Sequence, residues 1–600
     1  MKKRVMYAAA VAMLFATSTS FAQTNNTASS SQEGDRNASA ITQKNGQRNT
    51  AAVSQTGAEN GSVVAQYGGS ENGVVVGQYG TFHDVSALQT KGQFLDATVL
   101  QDGVNQTAVT IQEHGLDNDL NVVQYGESNE AWVEQLAGEG NEASVSQSGM
   151  LNEADMGQYN GVANSGSISQ DGEANIGYVE QQSGAGNAGS IVQVGFSGDA
   201  YVGQHGGVGN TGAVSQDGAN NWGYMEQREG EGNAASVGQA GDYNEAYVGQ
   251  FNGMSNSADV RQQGDMHDAT IEQHSGDANE ASIAQYGSEN GSTIAQYGGR
   301  ENDATVAQYG RFHDATILQS GGEDHDAVIL QNGVNQTAHI TQEEGVDNDA
   351  YVTQYGESND AYVEQLYGEG NDADVLQRGT MNDGRVGQYN GEDNDADIDQ
   401  HGEENIAYVE QQSGEDNDAD IDQDGMRNDA YIGQMAGLDN DADVDQRGND
   451  NWAYVVQYGA RNDAEIYQDG DDNKAVIGQV GVFNQADIEQ GGDGNLAGIG
   501  QVGVGNWAVI DQDGDYSLAG IVQSGSANVA VISQDAQWSA AGILQQGLGN
   551  EATIDQSGLY NLSGILQSGE SNTATINQGG TGNAAGIFQF GSYNTATINQ

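Results

Sequence analysis

Cysteine and proline are both missing from this chain of 600 residues. Without cysteine there can be no disulfide and no thiolate metal site. An average chain carries about 5% proline, so its complete absence is informative. Proline lacks a backbone N–H and is kept out of central strands, so a chain without it suits continuous hydrogen-bonded ladders. Positive charge is scarce as well. Lys and Arg number 17 against 86 Asp and Glu, a formal charge of -69. Such a surface repels nucleic acid and anionic lipid, and no nucleic-acid partner is expected. Beyond the N-terminus there is no long apolar run, so no transmembrane segment is expected.

What is abundant is glycine, 88 residues, about twice the usual share and a sign of many tight turns. At the N-terminus, Lys2, Lys3 and Arg4 precede an apolar run from Val5 to Ala16, and Ser20-Phe21-Ala22 forms a small-x-small cleavage site. That pattern predicts a secretory signal peptide over 1–22, export to an extracellular location, and a mature chain beginning near Gln23. Residues 23–36 read as a short segment outside the repeat.

From Asn37 onward one template recurs: Asn at position 0, Ala at +2, Ile or Val at +4, Gln at +6 and Gly at +8, in about 50 units. Asn141-Glu142-Ala143-Ser144-Val145-Ser146-Gln147-Ser148-Gly149 is a clean copy. Unit spacing alternates 12 and 11 up to Asn440 and is 11 thereafter. Residues 37–439 are therefore acidic repeats of 23, and 440–600 less charged repeats of 22. Some units depart from the template. His83, His267, His313 and His325 take the Asn position, as do Gln106, Gln336, Ser517, Ser539, Gly198 and Leu95. Ala87 and Thr110 replace Ile/Val, and Ala536 replaces the glycine.

An 11-residue period also fits a right-handed coil of helices. Glycine in every unit would cost such a helix about 1 kcal/mol each time. Within a unit the template residues fall at every second position, the period of a strand. Each unit thus predicts a short strand and a glycine turn of four or five residues. The outward residues indicate how strands pair. Gly498, Gly520, Gly542, Gly564 and Gly586 recur in every second unit and are absent from the units between. Like residues stack on like if strand n pairs with strand n+2, which happens when each coil gives one strand to each of two facing sheets. The expected fold is all-β, a two-sheet parallel β-solenoid of about 25 coils with uncapped ends. At about 4.8 Å per rung it would be a rod of about 120 Å. One unit alone cannot offset its conformational entropy, so stacking must stabilise it. Inward amides suit that role: the predicted ladder runs through Asn394, Gln400, Asn405, Gln411, Asn417, Gln423, Asn428 and Gln434.

The arrangement Asn394-x5-Gln400-x4-Asn405-x5-Gln411 resembles the curlin repeat, Ser-x5-Gln-x4-Asn-x5-Gln, with Asn394 where the family usually has Ser. The resemblance covers 37–600. It implies a secreted subunit of curli, the functional amyloid of biofilm matrices, on the surface of a Gram-negative bacterium. Implied partners are further copies of the chain, a nucleator subunit and an outer-membrane secretion pore. This chain differs from well-known members in its many repeats and its acidity. The family's N-terminal secretion segment would fall at about 23–36, short here.

Three units place Asp395, Asp397, Asp399, Asp418, Asp420, Asp422, Asp441, Asp443 and Asp445 outward on one sheet. Residues 371–448 hold 22 acids and four bases. One reading is a solvated face that opposes sideways clumping; another is a ladder for divalent cations such as Ca²⁺. Residues 495–600 have seven acids and no bases. There Leu496, Leu518, Val522, Leu544, Leu562, Leu566 and Phe588 predict an apolar contact stripe beside the glycine row. Tyrosines after Gln, as at Tyr67 and Tyr355, are candidates for stacking at turns. Nothing suggests catalysis: the nine histidines are scattered without zinc spacing, no serine sits in a nucleophile elbow, and no carboxylate pair stands out. The rival function is a non-polymerising solenoid, a surface adhesin or an ice-binding protein. Its mark would be regular Thr rows, and Thr553, Thr573, Thr575, Thr595 and Thr597 are few and local.

Overall fold

A computed structural model describes residues 25–600; the signal peptide expected over 1–22 lies outside the described residues. The chain divides into two compact units at Gly298/Gly299. Both are built alike, from strands alone. There are 51 strands among the described residues, two to a coil, and none of the segments is a helix that could cross a membrane.

In the first unit, Glu142–Met150 pairs in parallel with Ser165–Glu173, the next strand but one. The strand between them, Glu153–Val162, pairs instead with Ile176–Ala185. Alternate strands therefore form two parallel sheets. The second unit repeats this: Asp395–Glu403 pairs with Asp418–Met426, and the intervening Ile406–Gln412 with Asp429–Leu438. Beyond Asn440 the step shortens by one residue, as in Asp441↔Asp463. The lost residue is absorbed where Asp429–Leu438 meets Trp452–Ala460. The register shifts between Met435 and Gly437, so Ala436, which continues a column of left-handed residues through Tyr367, Asn390 and Ser413, has no counterpart in the next coil, a local bulge.

Strand alternation sends Ala396, Ile398 and Gln400 inward and Asp395, Asp397 and Asp399 outward. The facing sheet contributes Ala407, Val409 and Gln411 to the same thin core. At two positions where the inward alanine becomes glycine, a methionine fills the space opposite. A Cβ on Gly166 would lie 2.9 Å from Met156 Sδ, and one on Gly212 would lie 2.8 Å from Met225 Sδ. Volume is thus conserved across the two sheets.

Two expectations are corrected. The repeat begins one unit earlier than Asn37: Thr27–Asp35 is a strand in register with Thr50–Ala58. Asn26, Ala28, Gln32 and Gly34 keep the template, but Ser30 stands where Ile or Val belongs, which hid the unit from a hydrophobic pattern. Strands are also longer, and turns shorter, than expected. Asp395–Glu403 runs straight through Gly402, and the chain then reverses at Glu404, left-handed at φ 58°. The glycines at +8 are ladder residues: Gly402 pairs with Gly425 and Gly425 with Gly448. Gly402 has φ 135°, and a Cβ there would collide with the Gly425 carbonyl. Only glycine fits both demands.

Candidate functional site: the amide ladders and outward columns

The inward amides run as hydrogen-bonded ladders. Gln400 Nε2 donates to Gln423 Oε1 at 2.9 Å, and Gln423 Nε2 to Gln446 Oε1 at 2.8 Å. On the other sheet Gln411 donates to Gln434 at 2.9 Å. Most glutamines also tie the two sheets together: Gln411 Nε2 reaches Asp395 O at 2.7 Å and Asn417 O at 2.9 Å. The asparagines run with opposite polarity. Asn417 donates its backbone N–H and its Nδ2 to Asn394 Oδ1, at 3.2 and 2.9 Å. On the facing sheet Asn405 Oδ1 accepts from Asn428 N at 3.0 Å. All eight predicted ladder residues are buried. The first unit carries the same ladder, as in Gln135→Gln158→Gln181, at 2.8 and 2.7 Å.

Histidine imitates asparagine in this ladder. His83 Nδ1 accepts from Gln106 N at 3.4 Å, while Nε2 lies 3.1 Å from Tyr79 O. His267 and His313 present Nδ1 to the next coil in the same way. Burial lowers the pKa of all three. His325 differs: both ring nitrogens are buried without a hydrogen-bond partner, and burial pushes its pKa down to about 4.

The nine predicted aspartates form three columns on one sheet. Asp395, Asp418 and Asp441 pair in register, as do Asp397, Asp420 and Asp443, and Asp399, Asp422 and Asp445. Partial burial, reinforced by neighbouring carboxylates, pushes Asp397 and Asp443 up to about 7 and Asp420 to about 6. Burial, with neighbouring carboxylates adding to it, also raises Asp395, Asp422, Asp441 and Asp445. Cations reach only the rim: Arg447 Nη2 lies 2.7 Å from Asp445 and Arg378 Nη1 3.6 Å from Asp399. Among the described residues no three acidic or histidine side chains converge as metal ligands would. The columns are parallel rows of repelling charge, and a calcium ladder would require their carboxylates to turn toward one another.

The apolar stripe lies on the sheet containing Leu496–Val504 and Leu518–Ser526. Leu496, Leu518 and Leu562 share one column with Ala540; Val522, Leu544, Leu566 and Phe588 share another. The glycine row runs between them. Leu566 is half-buried and the other six predicted stripe residues are exposed.

Aromatic stacking occurs after Gln, as expected, in one run: Phe251 on His274 at 4.6 Å and His274 on Tyr297 at 5.1 Å; the two tyrosines named above do not take part. Tyr67 and Tyr355 are exposed and pair across the sheet with Thr90 and Arg378 rather than with rings. Further stacks sit at +3 on the outer face: Tyr178, Tyr201, Tyr224 and Tyr247, with ring centroids 5.3, 4.6 and 5.4 Å apart, and Tyr431 on Tyr454 at 4.8 Å. Their signal was tyrosine recurring in every second unit. Sequence reading also missed the left-handed residue before each asparagine, such as Asp393, Asp416 and Arg427, because its side chain varies freely.

A search of the curated proteins finds no match. The sequence profile of the curlin associated repeat matches 24–57, 115–149, 207–264, 268–298, 299–525 and 547–600. These matches span well over half of the chain, and the protein belongs to the curlin-repeat family.

Proposed function

We propose that this chain is an exported structural subunit that assembles end to end into curli-like amyloid fibres of the extracellular matrix, supporting adhesion and cell aggregation. The observation that carries this reading is the polarity of the amide ladders. A coil that keeps the template offers Gln Nε2–H and Asn Oδ1 on its C-terminal side, as Gln423 does to Gln446 and Asn417 to Asn440. On its N-terminal side it offers Gln Oε1 and the Asn N–H. Coils that keep the template are therefore complementary to one another, in the same chain or the next. Open strand edges template further strands, and stacked amides reinforce the addition. Membership of the curlin-repeat family supports the same reading, with a nucleator subunit and an outer-membrane pore as the partners to seek.

The purified mature chain tests it. Thioflavin binding, a fibre reflection near about 4.8 Å and acceleration by preformed seeds are expected. A monomer that stays stable at high concentration would assign it to the non-polymerising solenoids. Titration calorimetry with millimolar calcium, run on the same material, decides whether the aspartate columns take up metal.

A further inference from the structure

Five successive coils of the second unit carry an outward glycine that nothing in the chain requires. A Cβ on Gly498, Gly520 or Gly542 would meet no atom within 4 Å, and one on Gly564 only the Gly542 carbonyl at 4.0 Å. Their φ angles are not in the left-handed region. Some other outward glycines are covered, as the Tyr201 ring covers Gly203 and the Tyr389 ring covers Gly387; Gly478 and Gly500, on the same sheet, are as open as the row, and a Cβ on Gly586 would meet only the Phe588 ring at 3.5 Å and the Gly564 carbonyl at 3.9 Å. Glycine inside a strand costs roughly 0.5–1 kcal/mol relative to alanine, so this row gives up stability on every rung. It also thins the cover over the core. Ala541 and Ile543 beneath it are 6% and 3% exposed, whereas Ala552 and Ile554 on the facing sheet are at 0%. Glycine at such a place marks the close approach of another surface.

From +1 to +7 the face around the furrow is uncharged, and its one acid, Glu570, lies at the strand end at +9. Its outward columns are Leu/Ala at +1, glycine at +3, Gly500, Val522, Leu544, Leu566 and Phe588 at +5, and Val502, Ser524, Gln546, Ser568 and Phe590 at +7. The facing sheet of the same coils carries Asp511, Glu551 and Asp555. In a chain with a formal charge of -69, two copies meet without like-charge repulsion on a face of this kind. The relief is self-complementary too. If a second copy faces the first with strands antiparallel, its +5 ridge enters the first furrow and the first copy's +5 ridge enters its own. The two copies are then related by a two-fold axis. Four columns about 7 Å apart and five rungs about 4.8 Å apart give about 600 Å² a side. That total of about 1,200 Å² sits at the lower edge of specific interfaces.

We infer that this glycine furrow is the lateral pairing surface between two copies of the chain, with the Val522–Leu544–Leu566 ridge of each seated in the furrow of the other. The inference rests on the fibre reading for its setting, since pairing repeated along two fibres multiplies a contact that is marginal between single chains.

The test fills the furrow: Gly520→Val, Gly542→Val and Gly564→Val together. Valine favours a strand, so the variant is expected to melt higher and to grow fibres at the wild-type rate. Bundles seen by electron microscopy should give way to single fibres, with the fraction sedimenting at low speed falling about tenfold, or ~1.4 kcal/mol. Unchanged bundles would overturn the inference. So would unchanged bundles combined with lost binding to neutral lipid vesicles, which would assign the face to a membrane. If the valine variant fails to fold, Leu518→Thr, Leu562→Thr and Leu566→Thr remove the ridges instead and must give the same separation. Should the wild-type chain form no fibres at all, the fibre reading fails by itself. Disulfide trapping of the double variant Gly542→Cys, Leu544→Cys, whose position 544 faces position 542 of the other copy, in a chain otherwise free of cysteine, then decides the pairing. Trapped dimers retain it, and their absence removes it.

Discussion

At the residue scale, two glycine rows with opposite chemistry lie in the same coils. Those at +8, such as Gly402, are held by sterics: a positive φ and a carbonyl where a Cβ would sit. Gly402→Ala is expected to destabilise the surrounding coils by about 1–3 kcal/mol, seen as faster hydrogen exchange in the strands pairing with Asp395–Glu403. The glutamine ladder is equally local in its demands. Gln423 both accepts from Gln400 and donates to Gln446. Gln423→Leu would preserve bulk and orphan a group on each side, at about 1–3 kcal/mol per orphan. Exchange protection should fall for the rungs at 400, 423 and 446 and remain near 135–181, where the ladder is separate in sequence.

At the element scale, the acidic strands couple folding to pH. The aspartates at 397, 420 and 443 have folded pKa values near 7, 6 and 7, above the ordinary carboxylate value. A group raised in the folded state binds protons more readily there than when unfolded. Its contribution is therefore fully present below about pH 4 and is lost as pH rises through 6 to 7. Denaturation midpoints for the second unit are expected to rise as pH falls from 8 to 5. Replacing Asp397, Asp420 and Asp443 with Asn should flatten that dependence. The buried histidines oppose the trend within the same window. His325, held near 4 in the fold against an ordinary value of 6.5, stays neutral while the unfolded side chain takes up a proton, so its contribution is fully present above about pH 6.5 and is lost as pH falls toward 4. Asp324, Asp326 and Asp347 are the acids nearest in sequence or field, and His325→Asn should enlarge the gain in stability between about pH 6.5 and 4.

At the scale of the whole molecule, net charge sets the conditions for association. With 86 acids against 17 bases, copies repel one another over most of their surface. The Debye length shrinks from about 30 Å at 0.01 M salt to about 10 Å at 0.1 M. Fibre growth by thioflavin fluorescence should therefore accelerate steeply between those concentrations. An unchanged rate would mean that the aspartate columns are neutralised by other means. The uncharged furrow face predicts a different response: bundling, once fibres exist, should depend on salt far less than growth does.

Much of this was legible in the residues themselves. A template with period-2 spacing, and outward identities that recur in every second unit, allows only like-on-like stacking, and so the two-sheet solenoid and its amide ladders follow from sequence. The chain alone also dictates that aspartates stack, because Asn394, Asn417 and Asn440 begin units of the same phase. What only the tertiary structure decided are matters of space and direction. The unit at Asn26 emerges through backbone pairing, since Ser30 supplies no hydrophobic signal. The left-handed residue at each reversal is set by chain geometry, whatever its side chain. Tyrosine stacking at +3, in addition to the rings that stack after Gln, depends on which outward column lies flat against its neighbour. The distinction between a glycine that must be glycine and one that need not depends on what a Cβ would touch, and that is a property of packed coils rather than of any one repeat.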